Sequence, residues 1–138
     1  MKNWLFSTRP ISKDIGIFIL RVGAALMMLT HDWDKLSNYS AKLMTFSDPL
    51  GIGSALSLQL AILAEFFCAI LLALGLMTRL SLVPLMITML VAGFVAHAAD
   101  PFPAKEKAFL FLVIFIVLFL LGPGKYSVDG QLNRPRRY

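Results

Sequence analysis

The stretch LSLQLAILAEFFCAILLALGLM, residues 56–77, decides the fold, and Glu65 is the one charge within it. A helix needs roughly 20 residues to cross the hydrocarbon core of a bilayer, and this run is long enough. A carboxylate at its centre is costly unless it is paired, protonated or turned toward a polar cavity. Glu65 therefore reads as a site residue, and it demands a partner. Arg21, inside a second apolar run, is the expected one.

Working outward, three more runs approach spanning length, so the expected helices cover about residues 14–33, 56–77, 80–99 and 105–121. Only Thr78 and Arg79 separate the second from the third, which predicts a tight antiparallel hairpin. Asp48, Pro49, Gly51 and Gly53 mark the longest loop as turn-rich. Pro101 and Pro103 end helix continuity before the fourth run. The chain has 138 residues, of which 58% are hydrophobic and 15% charged, against about 45–50% and about 25% in soluble domains. The expectation is one all-α domain over residues 1–138: an integral membrane four-helix bundle.

Charge placement predicts orientation. Lys2, Arg9, Lys13, Arg79, Lys125, Arg134, Arg136 and Arg137 fall on one side; Lys35, Lys42, Lys105 and Lys107 fall on the other. The positive-inside rule puts both termini in the cytoplasm of a cell whose inner (plasma) membrane holds the protein. The basic tail reads as lying on anionic lipid, and Trp4 and Trp33 as interface anchors. Charges sited between apolar runs argue against nucleic acid as a partner. Lys2, Arg9 and Lys13 before an apolar run resemble a signal peptide, but no small-residue cleavage site follows, so the run is expected to stay as the first span. The lone Cys68 excludes an intrachain disulfide and a cysteine-ligated cluster within one chain.

Helical periodicity gathers the polar residues. Asp14, Arg21, Met28 and Lys35 form one stripe of the first helix, with Asp32 beside it. Ser54, Ala61, Cys68 and Ala69 accompany Glu65 on a face suited to close helix contact. His31, Asp34 and Lys35 end the first helix; Gly93, His97 and Asp100 share a face of the third, with Gly93 making room for a neighbour; Glu106 opens the fourth. Together these predict a polar pocket at the outer membrane boundary. A quinone head group suits it, because His donates to a carbonyl and a carboxylate passes protons to water. His31, Glu65 and Asp34 are the expected catalytic groups, and Arg21, His31, Lys35, His97 and Glu106 the expected binding groups.

Other readings stand beside this one. Arg21 and Glu65 as a buried pair that only fixes helix register is equally compatible with their positions. Haem ligation by His31 and His97 is disfavoured by their placement near the surface, and no tight ligand spacing supports zinc or another metal. For either histidine alone, an interfacial hydrogen bond is the plain reading. Glu106 fits an acid in the first turn of a helix, complementing its dipole.

The chain resembles the DoxX family of small four-span membrane proteins across about residues 14–132. The resemblance rests on Leu20-Arg21-Val22-Gly23, His31-Asp32-Trp33-Asp34-Lys35-Leu36, Glu65, Gly75-Leu76-Met77-Thr78-Arg79-Leu80 and residues 122–129, GPGKYSVD. Where family patterns carry Gly after the first-span His, this chain has Asp32. The resemblance implies membership of a group whose DoxD-type relatives are subunits of thiosulfate:quinone oxidoreductase, and whose others act in oxidative-stress complexes, as cargo receptors or as assembly chaperones. It would place a site at Arg21, His31, Lys35, Glu65 and Glu106. The leading expectation is a quinone-linked redox subunit that takes electrons from a partner subunit or small donor. The alternative is a non-catalytic assembly factor or receptor. A small-molecule transporter ranks third, because the fourth helix offers no polar lining. Homo-oligomers are compatible with the exposed apolar faces.

Overall fold

The computed structural model describes residues 7–133; Lys2, Trp4, Arg134, Arg136 and Arg137 lie outside the described residues. Those residues are all-helical, with no strand. The long helices are α1 (Lys13–Ser37), α3 (Ser54–Leu74), α4 (Thr78–Ala96) and α5 (Phe102–Leu121), joined by the short α2 (Tyr39–Lys42) and followed by the short α6 (Val128–Leu132).

Local chemistry sets the boundaries. Ser12 accepts a hydrogen bond from the Ile15 N–H and caps α1. α3 stops at Leu74 because Gly75 takes a left-handed conformation at φ +67. The Gly75 N–H then reaches Leu72 O and the Leu76 N–H reaches Leu71 O, the paired bonds of a Schellman ending. The hairpin turn is thus residues 75–77, earlier than the expected Thr78-Arg79. α5 begins at Phe102, just after Pro101, so Glu106 lies in its second turn and not at the helix opening.

α1, α3 and α4 are each long and apolar enough to cross a membrane. The uncharged part of α5, residues 108–121, is about 21 Å long at ~1.5 Å per residue, against ~30 Å of hydrocarbon. Lys105, Glu106 and Lys107 precede it. Large apolar side chains such as Ile19, Leu63, Leu80, Leu110 and Leu120 point outward, as lipid contact demands and water would not tolerate.

Between helices in lipid there is little hydrophobic drive, so close packing carries the contact. Ala24, Ala25 and Met28 of α1 meet Ala69 and Leu72 of α3, Leu82 and Leu85 of α4, and Phe115 and Leu118 of α5. A Cβ built on Gly93 would lie 2.9 Å from the Phe109 ring, so glycine there sets how closely α4 and α5 approach. The two ends of this bundle differ. One holds the chain entry to α1, the α3–α4 hairpin and α6, and is called here the terminal end. The other, the loop end, holds α2, the loop after it and the α4–α5 connection.

Candidate functional site

Arg21 is wholly buried, yet it does not reach Glu65. Its guanidinium donates to Leu72 O at 2.8 Å, Ala73 O at 2.5 Å and Tyr126 O at 2.5 Å. The expected Arg21–Glu65 pair is corrected for a simple reason. Carbonyls in the last turn of α3 have no partner within the helix, and they lie beside Arg21. Glu65 lies seven residues back along α3, roughly 10 Å away at ~1.5 Å rise per residue. Gly75 makes this possible, since a Cβ there would come within 2.8 Å of Arg21 Nη1. The Phe18 ring covers the guanidinium carbon at 5.7 Å. Nε of Arg21 has no hydrogen-bond partner among the described residues.

α6 completes the terminal end. Asp129 accepts from the Met77 N–H (2.9 Å), the Thr78 N–H (2.8 Å) and the Thr78 hydroxyl (2.8 Å), so it caps α4 from a distant part of the chain. Its own N–H donates to Gly75 O at 2.9 Å. Partial burial pushes the Asp129 carboxyl up, but those bonds and the charge of Arg21 outweigh it and hold the group below the ordinary carboxylate range. Asp14, the first member of the α1 stripe, accepts from the Lys125 N–H at 3.1 Å.

At the loop end, Glu65 is buried and its partner is Lys35. The Lys35 ammonium donates to Glu65 Oε2 and to Asp32 Oδ1, the latter at 2.7 Å. Asp32 is also buried, and its Oδ2 has no partner among the described residues. Two carboxylates therefore share one ammonium. Glu65 sits inside a π-helical turn, Leu63–Phe67, and a second such turn, Ala92–Ala96, interrupts α4. π-turns insert one residue into a helix, shift its register and recur at functional sites.

Lys35 and Glu65 of this cluster border a cavity of about 720 Å³ lined by α1, α3, α4, α5 and the loop before α3. The lining is mostly apolar, with His31, Lys35, Glu65, His97 and Lys107 as its charged or titratable groups apart from Cys68. Lys107 Nζ lies 2.9 Å from His31 Nδ1. His97 Nδ1 lies 2.7 Å from Asp100 Oδ2. Asp48 holds the loop before α3, accepting from the Ile52 N–H (2.9 Å), the Gly53 N–H (2.8 Å) and the Ser57 hydroxyl (2.8 Å). The Gly53 bond leads the effects that keep the Asp48 carboxyl below its ordinary range.

Of the residues expected from sequence, His31, Lys35, Glu65 and His97 border one cavity, while Arg21, Asp34 and Glu106 do not. Asp34 is exposed and bonded to Asn38 Nδ2 at 2.6 Å and to the Lys42 ammonium, tying α1 to α2. It lies two residues, about 200° around the helix, from buried Asp32. Glu106 is exposed, and its neighbour Lys107 is the residue turned toward His31. Sequence reasoning passed over Lys107, whose position is fixed only once the start of α5 is known. Asp32 it noticed as a family departure without giving it a role.

An all-helical bundle with three membrane-length apolar helices and buried charge defines an integral membrane protein. A model of the DoxX family matches residues 16–98, and the chain belongs to that family. The matched residues stop short of α5 and of residues 122–129, to which the sequence resemblance extended. A protein named inner membrane protein YqjF, from Escherichia coli (strain K12), is 27% identical over 126 residues, covering 88% of this chain and 95% of that one. No solved structure matches.

Proposed function

We propose that this chain is a four-span inner-membrane protein with cytoplasmic termini whose loop-end cavity binds a quinone as part of a membrane redox complex. The observation that carries the reading is the Lys35–Glu65 ion pair on the wall of an otherwise apolar cavity, with buried Asp32 as a second carboxylate on the same ammonium. With Lys107 donating to His31 Nδ1, His31 carries its own proton on Nε2, the donor that a quinone carbonyl needs. With two carboxylates facing one ammonium, uptake of one proton leaves the cluster neutral, so a proton can pass through Glu65 without stranding net charge. Reducing a quinone to a quinol consumes two electrons and two protons. This chain's residues serve the protons, and the electrons come from a partner subunit or a small donor.

Orientation follows the lysine and arginine distribution, which puts the loop end outside. The fourth span, residues 108–121, is accommodated by local thinning of the bilayer. Purification in native lipid tests the reading. Quinone should accompany the wild type and be lost from Glu65→Gln and His31→Ala. Quinone-free wild type, with both variants folded and stable, would transfer the case to an assembly factor or receptor.

A further inference from the structure

We infer that the cavity takes its ligand sideways from the bilayer, through the gap between α3 and α4, so that its substrate is a tailed quinone and not a water-soluble one. This deepens the quinone reading and rests on it. A cavity of about 150 Å³ is enough for a benzene ring, whereas this one measures about 720 Å³. A ring held at Glu65 and His31 leaves most of that volume empty. The remainder is apolar and runs down the bundle as far as Pro84, Ile87 and Thr88 of α4.

Its two long walls face lipid. Leu60, Leu63 and Phe67 line the cavity from α3, and Ile87 lines it from α4; all four are also exposed on the bundle's outer surface. A side chain that both lines a cavity and meets lipid stands at an opening. The spacing of three and four residues keeps Leu60, Leu63 and Phe67 on one face of α3. Ser54–Ile62 of α3 packs on α1, and α3 meets α4 from its π-turn onward. The π-turn at Leu63–Phe67 puts Glu65 inward while leaving Leu63 and Phe67 at the rim. A molecule with a polar ring and an apolar tail matches this gradient: its ring meets Lys35, Glu65 and His31, and its tail lies along Ala64 and Thr88 toward lipid. The loop before α3, fastened by Asp48, contributes Phe46, Leu50 and Ile52 to the cavity wall at the loop end.

The test compares a decyl-tailed dimethoxybenzoquinone with the same ring lacking its tail. Both are titrated against full-length protein in lipid nanodiscs, with concentrations taken in the membrane phase. The wild type should bind the tailed compound several-fold more tightly, through close packing of the tail against the walls of the gap, since transfer from lipid carries little hydrophobic gain. Ala64→Phe and Thr88→Phe should remove that advantage and change the affinity of the tail-less ring less than about twofold. The exposed rim substitutions Leu63→Ala and Phe67→Ala leave the core packing alone and should each weaken the tailed compound several-fold. If the gap-filling and rim variants bind the tailed compound like wild type, or weaken both compounds equally, the lateral route is overturned while the head site stands. Wild type binding neither compound overturns the quinone reading itself.

Discussion

Arg21 and Glu65 are both charged, both buried, and both inside helices of membrane length, yet their surroundings differ in kind. At the terminal end, Arg21 meets backbone carbonyls, which do not titrate, and Asp129 adds a cap across the same turn. That end is a fixed clamp. At the loop end, Glu65 meets Lys35 and shares it with Asp32, beside an open cavity. Every partner there can gain or lose a proton. A buried charge bound to backbone holds a fold together, whereas one bound to ionisable side chains beside a cavity can change state.

Breaking the clamp should have the largest effect. Arg21→Met strands the Ala73 and Tyr126 carbonyls, each costing about 1–3 kcal/mol when left unmade, while Leu72 O keeps the Gly75 N–H. Thermal unfolding in detergent should show a loss of several kcal/mol or failure to accumulate in the membrane. Gly75→Ala comes next. Its positive φ alone costs about 1–3 kcal/mol, and the new methyl group meets both Arg21 and Ser127. A stability close to wild type for this variant would mean that the Arg21 contact is dispensable.

Asp129→Asn is smaller, about 1 kcal/mol, because Asn still accepts as a cap but with one oxygen where Asp129 uses two, and its pH dependence sharpens the contrast. Folding lowers the Asp129 pKa, so its contribution is complete above the ordinary carboxylate range. It disappears as pH falls through the lowered folded value. The stability gap between wild type and Asp129→Asn should therefore be full at neutral pH and close in acid. A gap that persists at low pH would assign the effect to shape and not to charge. The smallest stability change belongs to Glu65→Gln, under about 1 kcal/mol, because Lys35 keeps Asp32 and avoids standing alone in the interior. Ligand binding is where this variant should fail.

Much of this contrast was legible in the residues. Apolar runs with charge between them announced the helices, and the seven-residue stripe from Asp14 to Lys35 correctly marked the inward face of α1. The partner of Arg21 was not legible, because the carbonyls at the end of a helix leave no trace in side-chain identity. The π-turns were hidden for a related reason: they follow from packing, and a pattern with period 3.6 cannot announce an inserted residue. Lys107 and Glu106 are adjacent acid and base, and only the start of α5 at Phe102 decides which one turns toward His31. Gly93, by contrast, was readable as a point of close approach, since absence of a side chain is itself the signal.

Infrared difference spectroscopy across quinone binding tests the division between the two ends most directly. Addition of a tailed quinone to wild type in lipid should perturb a carboxyl band that is missing in Glu65→Gln and retained in Asp129→Asn. A spectrum in which no carboxyl band responds, or in which the response survives Glu65→Gln, would make the loop-end cluster as structural as the clamp opposite it.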